Sequence, residues 1–251
     1  MLTKRHDTIG IKQVIRIEWM KKTANLLLAG LDEKQIRCEL QDLLSVVKGN
    51  GSSGKRGTTS RSQVVNILMK IWVSPNPELV GFRDEALKLL RKHSLNELAV
   101  HWSMISAAYP FWFNVALQVG RLLNLQDQVS QIQIFNRLKE LYGDRETVSR
   151  YARYTVRSMV AWDVLKDSAT RGCYEKPDQA DSKDTKTCVL MVEAALHAIP
   201  EGKGLLGILL NNPAFFPFRI PSMTGDFISQ HSNRIDVVRY GLDDEQLKLK
   251  D

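Results

Sequence analysis

The sequence predicts a mainly α-helical fold, in which a helical body carries one or two winged-helix units. A winged helix is a helix-turn-helix followed by a β-hairpin. Three observations predict it. Apolar residues recur at helical spacing through most of the chain, a basic helical segment follows a tight turn at Gly143, and two short segments after residue 163 have the form of a hairpin. With 251 residues, 43% of them hydrophobic and 25% charged, the chain is long enough to bury a substantial core.

The first 110 residues are expected to form a helical region. Asp32 is the expected N-cap of its second helix, and Pro75 ends a later one. Residues 48–62 are rich in Gly, Ser and Thr and poor in apolar side chains, which predicts a mobile basic loop. Helices are predicted for residues 14–29, 62–72, 81–93 and 94–107, and for a segment that opens at Asp32 with Leu40, Leu43 and Leu44 on its apolar side.

The middle of the chain, residues 111–176, is predicted to form a winged-helix domain. After a helix at 112–125, an amphipathic helix at 129–142 is closed by Gly143, and Asp144 is the expected N-cap of the next helix, at 147–162. That helix carries arginines at spacings of three and four, which share one face about 125° from the apolar stripe. The arginines are Arg150, Arg153 and Arg157, and the stripe is Val148, Ala152, Val156 and Met159.

A hairpin is predicted from residues 164–166 and 172–175, where a winged helix places its wing. A polar linker follows. Residues 177–251 are predicted to form a second, degenerate winged-helix unit with helices at 187–199, 204–210 and 222–230 and strands at 235–240 and 246–250.

The charge of the chain points to a polyanionic partner. Its net charge is +7 and its pI is about 9.3, and residues 1–61 contain 12 Lys or Arg against 6 Asp or Glu. An arginine-bearing helix fits the major groove of a duplex, and flanking basic residues can clamp phosphates. The expected nucleic-acid contacts are Arg145, Arg150, Arg153, Tyr154 and Arg157 around the basic helix, Lys166 and Arg171 on the wing, and Lys55, Arg56 and Arg61 in the N-terminal loop.

Other classes of protein are disfavoured. Three distant cysteines do not form a disulfide framework, and the N-terminal segment is too charged for a signal peptide. No apolar run approaches the roughly 18 residues of a membrane span, so a cytoplasmic protein without membrane partners is expected. The five histidines are scattered, and no catalytic motif emerges, so we expect neither a metal, nor a cofactor, nor enzymatic activity.

Three alternatives remain open. Residues 49–56 nearly spell a P-loop, although Arg56 replaces the hydroxyl ligand of magnesium, and a nucleotide-hydrolysing enzyme is therefore the least favoured. The second alternative is an adaptor protein that docks a larger defence or nucleic-acid-processing enzyme through its apolar helices. The aromatic residues around Pro110 could stack bases, but buried packing is the favoured interpretation; they are Trp102, Tyr109, Phe111, Trp112 and Phe113.

Taken in order, the segments resemble a known family. A leading helix ends in LLLAGLDEKQIRCEL, a polar basic loop follows, a helix enters through Arg61, an apolar bundle runs from Leu95, and the basic helix ends in WDVL. Over residues 14–165 this layout is similar to that of the small α-helical BrxA proteins of bacterial BREX phage-defence islands. The resemblance implies tandem winged helices, DNA binding and a role in antiviral defence beside other defence proteins. The Gly/Ser-rich loop and the extended part after Pro177 depart from that layout.

Overall fold

The computed structural model describes residues 4–47, 57–92, 96–177, 180–181, 184–240 and 244–250. These residues form a mainly α-helical protein, which confirms that part of the predicted fold class. A π-helical segment at Met69–Val73 and a short 3₁₀ helix at Pro77–Leu79 separate the fourth helix from the fifth. The first part of the chain contains α1 (Lys4–Asp7), α2 (Ile17–Leu28), α3 (Glu33–Ser45), α4 (Thr58–Leu68), α5 (Val80–Arg91) and α6 (Glu97–Ala108).

The start of α3 follows the sequence, whereas the start of α4 does not. Asp32 and Gln35 form a reciprocal capping box, with the Gln35 N–H donating to the Asp32 carboxylate at 2.8 Å, as expected of an N-cap. Residues 58–62 were expected in the basic loop, but they form the first turn of α4. The extended backbone of Gly57 supplies the N-cap position, and Val64 and Val65 are fully buried one turn later. Burial of this apolar face therefore outweighs the turn propensity of the Thr and Ser residues.

Residues 110–175, which we term the first unit, combine three helices with a small antiparallel sheet. Its elements are α7 (Pro110–Leu123), β1 (Gln128–Ser130), α8 (Gln131–Tyr142), α9 (Glu146–Ala161), β2 (Lys166–Asp167) and β3 (Cys173–Glu175). The strand order in the sheet is β1-β3-β2. The predicted strand 164–166 begins later than expected, because Val164 and Leu165 are buried beneath the hairpin.

Residues 185–249, the second unit, have a similar arrangement with one additional strand. After β4 (Ala180–Asp181), the chain forms α10 (Thr185–Ala198), β5 (Lys203–Leu205), α11 (Leu206–Leu210), β6 (Phe218–Arg219), α12 (Gly225–His231), β7 (Ile235–Tyr240) and β8 (Asp244–Leu249). The sheet order is β5-β8-β7, and β6 pairs with β4 in a separate sheet, so in both units the last strand lies between the first strand and the penultimate strand. Residues 204–205 were predicted to be helical. They extend instead, because Gly204 and Leu205 pair with Leu247 and Gln246 of β8.

A continuous core joins the three parts of the chain. It extends from Ile11 to Leu247, and every residue of α10 from Thr187 to Ala198 is buried. Trp102 lies at its centre, edge-on to Trp112 at 5.4 Å between ring centroids. The aromatic residues around Pro110 are all buried, so their predicted packing role is confirmed. Within the described residues, no helix is long and apolar enough to cross a membrane.

Candidate nucleic-acid interface

Helix α9 is placed by a turn that the sequence identified. Gly143 has a φ of +82°, a left-handed conformation that ends α8 at Tyr142. The next helix begins at Glu146, one residue before the predicted start. Arg145, rather than Asp144, occupies its N-cap position, because the Asp144 carboxylate forms an ion pair with Lys139 at 2.8 Å and makes no cap.

The buried and basic faces of α9 are separate, as its spacing predicted. All four residues of the apolar stripe are fully buried, and Thr155 and Ser158 extend that face. The side chain of Arg150 is 46% exposed and that of Arg157 is 42% exposed, while Arg153 is also exposed. Arg157 lies seven positions after Arg150, so the stripe extends about 10 Å along the helix axis. The stripe therefore projects from α9 without disturbing the core.

The three arginines differ in how far their charge is compensated. Arg150 lies 3.7 Å from Glu146 in an exposed pair one turn apart, and Arg157 donates to Asp167 of β2 at 2.5 Å. No carboxylate in the described part of the chain pairs with Arg153, whose guanidinium lies 5.9 Å from the centre of the Phe135 ring. Exposed ion pairs contribute little, so Arg150 and Arg157 stay available to a polyanion, and the charge of Arg153 is the least compensated of the three.

The β2–β3 hairpin stands beside α9. Arg157 and Asp167 join the two elements, and the hydroxyl of Tyr174 donates to Gln131 at 3.3 Å at the start of α8. Burial raises the pKa of the Tyr174 phenol, which keeps it a neutral hydrogen-bond donor. Lys166 and Arg171 are both exposed on this hairpin. The hairpin thus adds two basic side chains to the surface that contains the arginine stripe.

A groove of about 600 Å³ runs along α9, and its opposite wall comes from the N-terminal segment. The Ile15 N–H donates to the Ser158 hydroxyl at 2.9 Å, and the Trp162 indole N–H donates to the Ile15 carbonyl at 3.0 Å. These bonds fix the backbone beside Arg16, an exposed residue that lines the groove. The groove lining consists of Val14, Arg16, Glu18, Arg153, Tyr154, Arg157, Val160 and Ala161.

Arg16 is a candidate contact that sequence reasoning missed. The surplus of basic residues before position 62 was noted, but nothing in the spacing connects residue 16 with residue 153. Tyr154 was expected at this surface and lines the groove, half-buried and stacked on Tyr151 with 6.5 Å between ring centroids. The lining of the groove therefore combines an aromatic ring with three guanidinium groups and the carboxylate of Glu18.

The remaining candidate residues lie at different places. Arg145 is exposed at the start of α9, and its guanidinium donates to the Tyr142 carbonyl at 2.8 Å. Arg61 lies in α4, half-buried, and donates to Thr58 of the same helix at 3.3 Å. It is therefore no part of a loop. Lys55, Arg56 and the P-loop-like stretch at 49–56 lie outside the described residues.

Comparisons with known proteins return no relative. No family model matches the chain, and no curated protein or solved structure matches it either.

Proposed function

We propose that this protein is a non-enzymatic, double-stranded DNA-binding protein that uses α9 as its recognition helix. The observation that carries the proposal is the exposed stripe of Arg150, Arg153 and Arg157 opposite the buried face of α9. A helix with its side chains is about 10–12 Å wide, and the major groove of B-DNA is about 12 Å wide. The deep, narrow major groove of A-form RNA does not admit such a helix, so duplex DNA is the better match.

The topology of the first unit supports this role. Its order of helix, strand, two helices and two strands, with the third strand central in the sheet, is that of a winged helix. In that arrangement α8 and α9 form the helix-turn-helix, and the β2–β3 hairpin is the wing. Lys166 and Arg171 would contact the phosphates beside the groove, while Arg145 would contact a phosphate near the start of α9. The second unit has a similar order, with β6 inserted between α11 and α12, which supports the predicted tandem arrangement.

The proposed biological setting is a bacterial anti-phage defence system, in which the protein would act beside other defence proteins in the cytoplasm. This part of the proposal is supported by the resemblance to the BrxA proteins.

A salt titration tests the proposal. We expect the purified chain to bind a duplex of mixed sequence more tightly than single-stranded DNA or RNA of the same length. The affinity for duplex should fall steeply between about 50 and 200 mM salt, because each phosphate contact releases a condensed counterion. Fluorescence anisotropy with labelled oligonucleotides measures both quantities. Equal affinity for the three nucleic acids would contradict the assignment to duplex DNA, and absence of binding at low salt would contradict the function itself.

The Asp167→Asn variant is expected to bind duplex DNA more tightly than the wild type. It removes the carboxylate that pairs with Arg157, so the guanidinium is released toward the ligand. Exposed pairs contribute at most about 1 kcal/mol, so the gain should be no more than about fivefold. Anisotropy titrations at constant salt measure it, and Asp163→Asn, an exposed position beyond the end of α9, is the matched control. Weaker binding by Asp167→Asn alone would show that Asp167 orients Arg157 productively.

A further inference from the structure

The groove between α9 and the N-terminal segment combines cationic, aromatic and apolar side chains. Its lining includes the guanidinium groups of Arg16 and Arg153, the ring of Tyr154, and an apolar wall to which Val14 and Val160 contribute. The groove volume of about 600 Å³ lies within the range of roughly 300–1,000 Å³ that is usual for small-molecule sites. The groove is therefore of a size for a small ligand such as a nucleotide, and not for a folded partner.

Two arginines on opposite walls of the groove are positioned by aromatic rings. The Arg16 guanidinium lies 5.7 Å from the centre of the Trp19 ring, and the Arg153 guanidinium lies 5.9 Å from that of Phe135. In the described part of the chain, no carboxylate forms an ion pair with either arginine. An aromatic ring orients a guanidinium without neutralising its charge. Both groups can therefore bind an anion, and phosphate is one that arginine binds well.

The Tyr154 ring provides a surface for a planar group. It is half-buried, lines the groove, and stacks on Tyr151 with an angle of 25° between the ring planes. The groove lining beside it is apolar at Val160 and Ala161. A ring of this kind next to cationic side chains is the combination on which proteins stack unpaired bases while they hold the adjacent phosphate.

A carboxylate, that of Glu18, also lines the groove. Glu18 is exposed in the first turn of α2, and no Lys or Arg in the described residues forms an ion pair with it. A carboxylate repels a simple inorganic anion, but it accepts a hydrogen bond from an amino group such as N4 of cytosine. The lining thus favours a ligand that carries an anionic group and an amine together. Cytosine, adenine and guanine nucleotides have both, whereas uracil and thymine nucleotides lack the amine.

Buried hydrogen bonds fix the two walls of the groove relative to each other. The Ser158 hydroxyl accepts from the Ile15 N–H at 2.9 Å and donates to the Tyr154 carbonyl at 2.7 Å. The Trp162 indole N–H donates to the Ile15 carbonyl at 3.0 Å. Arg16 follows Ile15 directly, so its backbone is held beside α9. A ligand therefore binds between walls that are already ordered, which lowers the entropic cost of binding.

We propose that this groove binds a single unpaired nucleotide. The base stacks on Tyr154 beside the apolar wall, the phosphate lies between Arg16 and Arg153, and Glu18 accepts from an exocyclic amino group of the base. A nucleotide that protrudes from the end of a DNA duplex and a free nucleotide offer the same chemistry. Because α9 also forms the proposed duplex interface, the protruding nucleotide is the expected source, and this choice of source rests on the proposed function. The site itself rests on the groove.

Fluorescence anisotropy of the full chain with labelled DNA tests the site. A blunt duplex is compared with the same duplex that carries a protruding deoxycytidine nucleotide at its 5′ or its 3′ end. We expect the protruding nucleotide at one of these ends to raise the affinity about tenfold, as for one stacked base. A protruding deoxyuridine nucleotide lacks the amine and should raise the affinity only about threefold. Equal gains from the two bases would overturn the role of Glu18.

Single substitutions connect the gain in affinity with the groove. Arg16→Ala should reduce the gain from about tenfold to about threefold or less, because a phosphate contact is lost. Arg91→Ala, at an exposed position in α5, is the matched control and should keep the full gain. The two variants should bind the blunt duplex alike, since each removes one surface charge. Glu18→Ala should gain equally from deoxycytidine and deoxyuridine. Circular dichroism checks that each variant is folded.

Calorimetry with deoxycytidine monophosphate distinguishes the two sources of the nucleotide. A gain from the protruding nucleotide without binding of the monophosphate assigns the groove to a DNA strand, and binding of the monophosphate without that gain assigns it to a free nucleotide. The proposal is overturned if neither is seen, or if Arg16→Ala and Arg91→Ala have the same effect on the gain. Binding of the blunt duplex by the wild type is measured separately, so the proposed function can hold when this inference fails, and the reverse.

Discussion

The double variant Arg153→Glu with Arg157→Glu is expected to bind duplex DNA about 100-fold more weakly than the wild type at about 0.1 M salt. Each substitution removes a guanidinium from the exposed face of α9 and places a carboxylate where a phosphate would lie. Arg153 should carry the larger share, because no carboxylate in the described residues offsets its charge. The plot of log affinity against log salt concentration should also become shallower by about 2, one for each lost phosphate contact.

A control with the same change in net charge tests whether position matters. Lys34→Glu with Arg91→Glu alters exposed residues of α3 and α5. We expect this control to bind within about threefold of the wild type, because charges farther apart than a Debye length, about 10 Å at 0.1 M salt, are largely screened. Both variants should unfold within about 0.5 kcal/mol of the wild type, as surface substitutions usually do. Equal losses of affinity in the two variants would show that net charge, and not α9, determines binding.

The sequence predicted helix α9 and the turn before it, because residues close together in sequence determine both. Helix α9 begins and ends within one residue of the predicted bounds, since its apolar stripe and the turn at Gly143 are both encoded within about twenty residues. The separation of the arginines from the buried face follows from the same periodicity. This part of the structure needed no knowledge of distant contacts.

The short strands that the sequence analysis did not predict depend on pairing with residues far along the chain. Strand β1 has only three residues, and it is extended because it pairs with β3, which lies more than forty residues later. The same applies to β5, whose pairing with β8 replaced the first two residues of a predicted helix. Short strands have weak local signals, and their register is set by their partners.

Side-chain partners were the least predictable feature. The groove beside α9 exists because Ile15 bonds to Ser158 and Trp162, which brings Arg16 to Arg153 across 137 positions of sequence. Asp144 is of a residue type that often caps helix N-termini, but its carboxylate forms an ion pair with Lys139 and does not cap α9. The spacing of residues in the sequence does not predict which partner Ile15 or Asp144 bonds to.

Glu193→Gln is expected to destabilise the fold by about 3 kcal/mol, near the lower end of the range for a broken buried ion pair. The Glu193 side chain is fully buried, accepts from the Arg234 guanidinium at 2.5 and 2.9 Å, and also accepts from the Ser232 hydroxyl at 3.1 Å. These bonds hold the segment before β7 against α10. The Arg234 side chain is 28% exposed, so water offsets part of the loss. Urea unfolding followed by circular dichroism measures the change.

The same variant should change the pH dependence of stability. Burial acts to raise the pKa of the Glu193 carboxyl, but the hydrogen bonds and charge of Arg234, together with the His197 ring 3.8 Å away, outweigh it, so the net pKa lies below the ordinary value. A depressed carboxyl pKa stabilises the fold above the unfolded value of about 4.3, and this contribution is lost as the pH falls through the folded pKa. The Gln variant lacks that component, so its stability should fall less than that of the wild type below about pH 4.5.

Replacing both partners separates the ion pair from the general cost of a core substitution. Glu193→Met with Arg234→Met should be markedly more stable than Glu193→Met alone, because the double variant leaves no uncompensated guanidinium beside α10. Glu85→Gln, a change at a half-buried carboxylate near Arg234, should be nearly neutral by comparison. If Glu193→Gln unfolds within about 0.5 kcal/mol of the wild type, then the segment before β7 is held by the apolar contacts of Ile235 and Leu247, and the ion pair contributes no net stability.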